Sequence, residues 1–257
     1  MNHPQRHALV TGASSGIGWH MSRELAQRGF AIIAVSNQEK ELHQLKEELE
    51  RDFSVAVRTM NVNLANASSA REVFDYCESN HLLVEVLINN AGMLVIGEAV
   101  DVEYDKAADI LALHVSTPAL LCRLFGKKME TRRHGHILNV SSISAIMPYP
   151  TISYYGPSKT FLRSFSRALR TELKPHHVNV TCLMPGATAT ALYGSFNVNI
   201  PLAMKLGVMG KSEAVARIGI NALFRERAEC IPGLLNKITV RLLPMVPHFA
   251  IEWIYRV

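Results

Sequence analysis

The chain is short of charge and of cysteine. Asp, Glu, Lys and Arg make up 19% of the 257 residues, against 48% apolar. So little charge on so apolar a chain excludes wholesale disorder and a long solvent-bathed coiled coil. The four cysteines, Cys77, Cys122, Cys182 and Cys230, stand far apart with no C-x-x-C pair. That spacing argues against a zinc site and against a disulfide framework. Reduced, buried thiols in a cytoplasmic protein are expected instead. His134-Gly135-His136 and His176-His177 have no carboxylates at ligand spacing, so no metal is expected. No apolar run reaches 18 uninterrupted residues, and the greasiest stretch, Leu242 to Ile251, is broken by Pro244 and Pro247. No spanning helix is expected from such a pattern, and no signal-type apolar region precedes Ala8. The basic excess is mild, +5, and acidic stretches such as Glu47-Glu48-Glu50 offset the Lys127-Lys128 and Arg132-Arg133 pairs. A nucleic-acid partner is not expected.

Short apolar runs alternate with amphipathic stretches, the pattern of βαβ units. Strands are expected at Ala8–Thr11, Ala31–Val35, Val55–Met60, Val86–Asn89, His136–Val140 and Val178–Met184. Helices are expected at Gly18–Gly29, Lys40–Phe53, Ser68–Asn80, Tyr104–Glu130 and Tyr155–Leu173. Nearly continuous aliphatic strands suit a parallel sheet covered on both faces. With no repeat, linker or low-complexity segment, residues 1–257 read as one α/β domain, a Rossmann-like doubly wound parallel sheet.

The first strand runs into Thr11-Gly12-Ala13-Ser14-Ser15-Gly16-Ile17-Gly18. This G-x-x-x-G-x-G spacing is neither G-x-G-x-x-G nor a Walker loop, but the physics is shared. Glycines permit a tight turn and a close backbone approach, and free N–H groups at the following helix face an anion. A dinucleotide pyrophosphate fits there. At the end of the second strand, an acidic side chain would hold both ribose hydroxyls and repel a 2′-phosphate. The chain has Val35-Ser36-Asn37-Gln38 instead. Ser36 and Asn37 donate to either cofactor, so NADP is preferred and NAD is not excluded.

Ser142 follows the fifth apolar run, and Tyr155-Gly156-Pro157-Ser158-Lys159 comes thirteen residues later. Tyr155 and Lys159, four apart, share one helix face. A nearby ammonium favours phenolate, so the phenol becomes a competent acid or base for a carbonyl oxygen receiving hydride. Ser142 would donate a hydrogen bond to the same oxygen as charge builds on it.

With Asn89-Asn90-Ala91-Gly92, Asn139-Val140-Ser141-Ser142 and Pro185-Gly186 added, the chain resembles the short-chain dehydrogenase/reductase family over nearly its whole length. The resemblance implies that Gly12, Ser14, Ser15, Gly16, Ile17 and Gly18 hold the pyrophosphate. It implies that Asn63 and Leu64 lie by the adenine, with Asn63 where the family usually carries Asp. Asn89 would buttress the sheet, while Asn90, Ala91 and Gly92 pass beside the cofactor. Ser142, Tyr155 and Lys159 match the catalytic trio, with Lys159 also on the nicotinamide ribose. Pro185, Gly186, Thr188 and Thr190 match the stretch along the nicotinamide. The family's fourth catalytic residue, an Asn that positions a relay water, is His114 here. A histidine that binds water through a ring nitrogen and titrates near neutrality is expected to work in that relay.

The segment Ala187–Gly210 mixes small and large apolar residues and reads as a substrate lid of about residues 187–212. Leu94, Val95, Met147, Tyr149, Tyr193 and Phe196 are expected as an apolar wall for a hydrophobic carbonyl or alcohol substrate. The resemblance also implies a homodimer or homotetramer through the fifth and sixth helices. An apolar tail over residues 234–257, with Arg241, Trp253 and Arg256, is a candidate for peripheral membrane contact. The alternative function is a non-catalytic dinucleotide sensor.

Overall fold

The computed structural model describes residues 5–147, 149–189 and 209–256. The chain alternates β1 (His7–Thr11), α1 (Gly16–Ala26), β2 (Ala31–Ser36), α2 (Glu39–Phe53), β3 (Val57–Asn61), α3 (Ser69–Ser79) and β4 (Val84–Asn89). There follow α4 (Tyr104–Leu111), a π-helical turn (Ala112–Ser116), α5 (Thr117–Arg132), β5 (Gly135–Val140), α6 (Tyr155–Leu173) and β6 (Val178–Leu183). Short β7 (Thr188–Ala189) and β8 (Gly210–Lys211) precede α7 (Ser212–Phe224), β9 (Glu229–Cys230), α8 (Leu234–Leu242) and α9 (His248–Arg256).

Seven strands form one parallel sheet in the order β3-β2-β1-β4-β5-β6-β9. Within each strand the side chains alternate between two cores, because successive Cβ atoms point to opposite faces. Ala8, Val10, Ile32 and Ala34 face a core built with Met21 and Leu25 of α1, Leu42, Leu45 and Leu49 of α2, and Ile220 and Leu223 of α7. Leu9, Ile33, Val35 and Leu87 face the other, with Val73 of α3 and Leu121, Phe125 and Met129 of α5. Each fully buried Val, Leu, Ile, Met or Phe among them contributes about 1.5–3 kcal/mol. The strand order reverses between β1 and β4, which opens a crevice at the carboxyl edge of the sheet.

The expected strands and helices are present, with three differences. β3 begins at Val57, because Ser54 closes α2 in the left-handed conformation (φ 54°) and the chain needs two more residues to reach the sheet. The long helix from Tyr104 is interrupted by the π turn at Ala112–Ser116. By length and composition, the continuous stretch Tyr104–Arg132 could cross a membrane, but Leu121, Cys122, Phe125 and Met129 are spent on the sheet. α7, α8, α9 and the two-residue strands β7, β8 and β9 went unanticipated. Half of the residues that α7 buries are small, Ala216, Gly219 and Ala222, which blurs its helical period. A Cβ on Gly219 would sit 2.8 Å from Leu183 Cδ2, so a larger residue there would push on the Leu183 side chain.

The sheet's centre is tied by polar side chains rather than by packing alone. Asn89 Nδ2 donates to Asn139 Oδ1 at 2.8 Å, and Asn139 Nδ2 donates to Ser166 Oγ at 2.9 Å. This chain joins β4 and β5 to α6, and thereby fixes the helix that carries Tyr155 and Lys159. Replacing Asn139 with Leu removes the short bond from Asn89 Nδ2 and the donor to Ser166 Oγ, leaving Asn89 with its weaker contacts to Cys122 Sγ and the Pro118 carbonyl and Ser166 with its bond to the Leu162 carbonyl. Asn139→Leu should therefore lose about 1–3 kcal/mol of stability in urea denaturation, and an unchanged midpoint would contradict the assignment.

Candidate active site

At the carboxyl edge of the sheet lies a cleft of about 740 Å³. One end is the glycine turn. Gly12 takes φ +63°, a conformation that costs other residues strain, and Gly18 presses on it so closely that a Cβ would lie 2.1 Å from the Gly12 carbonyl oxygen. α1 therefore starts hard against β1. Its Ser15 N-cap makes no side-chain cap bond, and its first turn carries no acid. The leading N–H groups are left for an anion, which suits a pyrophosphate. Thr11 Oγ1 accepts from the N–H groups of Asn90 and Ala91 at 2.9 and 3.1 Å, and Asn90 Nδ2 donates to the Thr11 and Gly12 carbonyls. These bonds seat the strip after β4 beside the glycine turn.

Gly12, Ser14, Ser15, Gly16, Ile17, Ser36, Asn37, Asn63, Leu64, Asn90, Ala91, Gly92, Pro185, Gly186 and Thr188 all line the cleft, together with Ser142, Tyr155 and Lys159. Gly18 does not reach it, because its role is the close approach of helix to turn. Thr190, Tyr193 and Phe196 lie outside the described residues. Of the expected apolar wall, Leu94 and Tyr149 line the cleft; Val95 and Met147 do not, and Ile96, Ile143 and Ile152 take their place. The ends of the expected lid are paired: Thr188 with Gly210 and Ala189 with Lys211.

Sequence reasoning missed Gln38. Its Oε1 accepts from Ser14 Oγ at 2.8 Å, and Ser14 Oγ is also 2.8 Å from Ser36 Oγ. The tip of β2 is thus a neutral amide and hydroxyl cluster without a carboxylate. Its position directly after Asn37 was the available signal. Asn63 uses its Oδ1 on the Ala65 N–H at 3.1 Å, which shapes the turn after β3.

The opposite wall carries Ser142, Tyr155 and Lys159. Ser142 sits at the end of β5 with its Oγ accepting from the Ser144 N–H at 3.1 Å, so the hydroxyl proton is directed elsewhere. Tyr155 and Lys159 come from the first turns of α6, where Pro157 costs no helical bond. Lys159 is buried, donates to the Val140 carbonyl at 3.1 Å, and lies 5.7 Å from the centre of the Tyr155 ring. Burial pushes its pKa down to about 8.

His114 is where the structure changes the sequence reading. It is buried in the π turn, behind Gly92 and Lys159 rather than in the cleft. Nε2 accepts from the Met93 N–H at 3.0 Å, which requires that nitrogen to be unprotonated. Nδ1 then carries the hydrogen and donates to Ser158 Oγ at 3.0 Å, and Ser158 donates onward to the Tyr155 carbonyl at 2.8 Å. Burial first, and the Lys159 charge second, hold the imidazole well below its ordinary pKa. The expected water on a ring nitrogen and titration near neutrality are both corrected: protein groups take both nitrogens, and the ring stays neutral. His114 staples the strip after β4 to the helix carrying Tyr155.

Comparison with known proteins agrees with this architecture. A family model described as short chain dehydrogenase matches residues 6–200. The human 17-beta-hydroxysteroid dehydrogenase type 3 is 30% identical over 197 residues, 75% of this chain and 62% of that protein. The very-long-chain 3-oxoacyl-CoA reductase of Kluyveromyces lactis is 30% identical over 196 residues, 72% of this chain and 56% of that one. The matched chain thus spans less than two thirds of the length of either relative. An NADP-dependent 3-hydroxy acid dehydrogenase of Escherichia coli is 26% identical across 94% of this chain and 96% of its own. Among solved structures, a short-chain dehydrogenase from Sphingobium yanoikuyae in complex with NADPH superposes with a TM-score of 0.81 at 24% identity, covering 95% and 97% of the two chains. The chain belongs to the short-chain dehydrogenase family.

Two outcomes follow. The ¹⁵N resonances of His114 should remain those of a neutral, Nδ1-protonated ring between about pH 5.5 and 8; a titration step in that window would contradict the staple. For Lys159, a lowered folded pKa means that the cationic form is penalised in the native state. The penalty is complete below about pH 8 and disappears as pH rises toward the unfolded value of about 10.4. Lys159→Met should therefore be more stable than the parent by about 1–3 kcal/mol at pH 7. That gap should close above pH 8 in urea melts; a destabilised variant at pH 7 would contradict it.

Proposed function

We propose that the protein is an NADP(H)-dependent oxidoreductase that interconverts a carbonyl and a secondary alcohol on an apolar substrate. The observation that carries this reading is the placement of Ser142, Tyr155 and Lys159 on one wall of a cleft whose other end is the glycine turn. The residues present fit a dinucleotide: a close-packed turn, uncapped helix N–H groups and an open strip at Asn90–Gly92. Absence of a carboxylate at the tip of β2 favours the phosphorylated cofactor, since nothing acidic there repels a 2′-phosphate.

When bound, the reduced nicotinamide supplies the hydride. The chain's own residues manage the oxygen. Ser142 donates a hydrogen bond to the carbonyl oxygen, and Tyr155 transfers its phenolic proton there as negative charge develops. The Lys159 ammonium offsets the charge left on the tyrosine oxygen, in a buried setting where such an interaction is strong. In the oxidative direction the same groups act in reverse. Leu94, Ile96, Ile143, Tyr149 and Ile152 give the substrate end an apolar lining. The similarity to a hydroxysteroid dehydrogenase and a very-long-chain 3-oxoacyl-CoA reductase supports a large apolar substrate. Self-association through α5 and α6 is part of the proposal, with Leu120 and Phe161 exposed on those helices.

The test is NADPH oxidation with a panel of steroid, long-chain and simple ketones. Tyr155→Phe should lower kcat by about 10²–10⁴ while NADPH binding, read by fluorescence, stays within a few fold of the parent. NADPH should bind more tightly than NADH. Tight dinucleotide binding with no turnover on any ketone would favour the non-catalytic sensor; an NADH preference would contradict the reading of the β2 tip.

A further inference from the structure

The last elements of the chain pack against segments that line the cleft. α8 packs against the turn Ile143–Ile146 that follows β5. Its Asn236 sits on Gly186, where a Cβ would come within 2.4 Å of the amide oxygen. At the other end, Tyr255 Oη donates to Glu98 Oε1 at 2.7 Å, on the loop that follows β4. Since β4 and β6 flank β5 in the sheet, the tail is anchored on both sides of the strand whose end carries Ser142.

The outer surface of this tail is apolar. Nine of the seventeen exposed large apolar side chains among the described residues lie between Leu234 and Tyr255. Leu234, Ile238 and Leu242 recur at every fourth position of α8, with Leu235 beside them. Phe249 and Trp253 repeat the spacing on α9, and Leu234, Met245, Phe249 and Trp253 are 75%, 76%, 72% and 69% exposed. Exposure on this scale, concentrated in one segment, marks a contact surface. Lys237 and Arg241 flank the stripe on α8, and no acidic residue occurs from Leu234 to Ile251. The first acid, Glu252, is 3.0 Å from His248 Nδ1.

We propose that this tail docks on an anionic lipid surface and so presents the cleft to a substrate dissolved in the bilayer. Apolar side chains enter the headgroup boundary, Lys237 and Arg241 meet the lipid phosphates, and Trp253 and Tyr255 suit the interface. A symmetric contact between two copies fits less well. Such an interface must be self-complementary, and this one would set Lys237 and Arg241 against each other with one acid in the tail, Glu252, which already pairs with His248. The substrate half of the inference rests on the ketone reduction proposed above, whereas the docking half does not.

The full chain should pellet with phosphatidylcholine vesicles containing about one third phosphatidylserine, and about tenfold less with pure phosphatidylcholine or in high salt. Lys237→Glu/Arg241→Glu and Phe249→Glu should each weaken pelleting by about tenfold and leave reduction of a simple ketone in buffer unchanged. The same variants should slow reduction of a long-chain methyl ketone dissolved in the vesicles. No pelleting by an active protein would overturn the docking. Loss of a dimer in light scattering on Phe249→Glu, with pelleting unaffected, would overturn it in favour of self-association. Pelleting by a protein inactive on every ketone would leave the docking standing and overturn the substrate half.

Discussion

A buried ammonium governs the layout of this protein. Lys159 lies out of solvent with a backbone carbonyl as its partner, an arrangement that folding alone would not favour, since an enclosed charge is costly. What surrounds it keeps it in place. β5 ends so that Val140 offers its carbonyl, Ser141 Oγ reaches the Lys159 carbonyl at 2.7 Å, and the Asn89–Asn139–Ser166 chain pins α6 to the sheet. His114 lies close by, yet its ring is neutral, so no second buried cation competes with the first. The depressed pKa of Lys159 marks a buried charge kept at the expense of stability.

The glycine turn and the wall that carries Ser142, Tyr155 and Lys159 face one another because of the strand order. Reversal between β1 and β4 brings the end of β1 next to the strip after β4, and β5 follows directly. Thr11, Asn90 and His114 then act as stitches: Thr11 and Asn90 between turn and strip, His114 between strip and α6. A π turn is what lets a helix otherwise spent on the core place an imidazole among these groups. Where the family resemblance leads one to expect an amide, a neutral histidine with one donor and one acceptor offers the same pair of hydrogen-bonding functions.

Much of this was legible in the sequence. Aliphatic runs located the strands because both faces of the sheet are covered, and spacing alone put Tyr155 and Lys159 on one face. Less legible was whatever depends on burial or long-range pairing. The tautomer of His114 follows from Met93 and Ser158, 21 and 44 residues away along the chain. Gln38 lines the cleft and bonds Ser14 across the β1–β2 step. α7 hid behind its small residues, and β9 is a two-residue strand that pairing with β6 alone defines. The apolar tail was visible in composition, but its two anchors at Gly186 and Glu98 were not.

The account stands or falls on the state of Lys159. Selective ¹³C labelling and NMR titration of its Cε would report that state in the cofactor-free protein. The account predicts a midpoint of about 8, with the ammonium present at neutral pH beside Tyr155. A midpoint near the ordinary lysine value of about 10.4 would contradict it, because it would mean that the amine is solvated rather than enclosed at the head of the cleft.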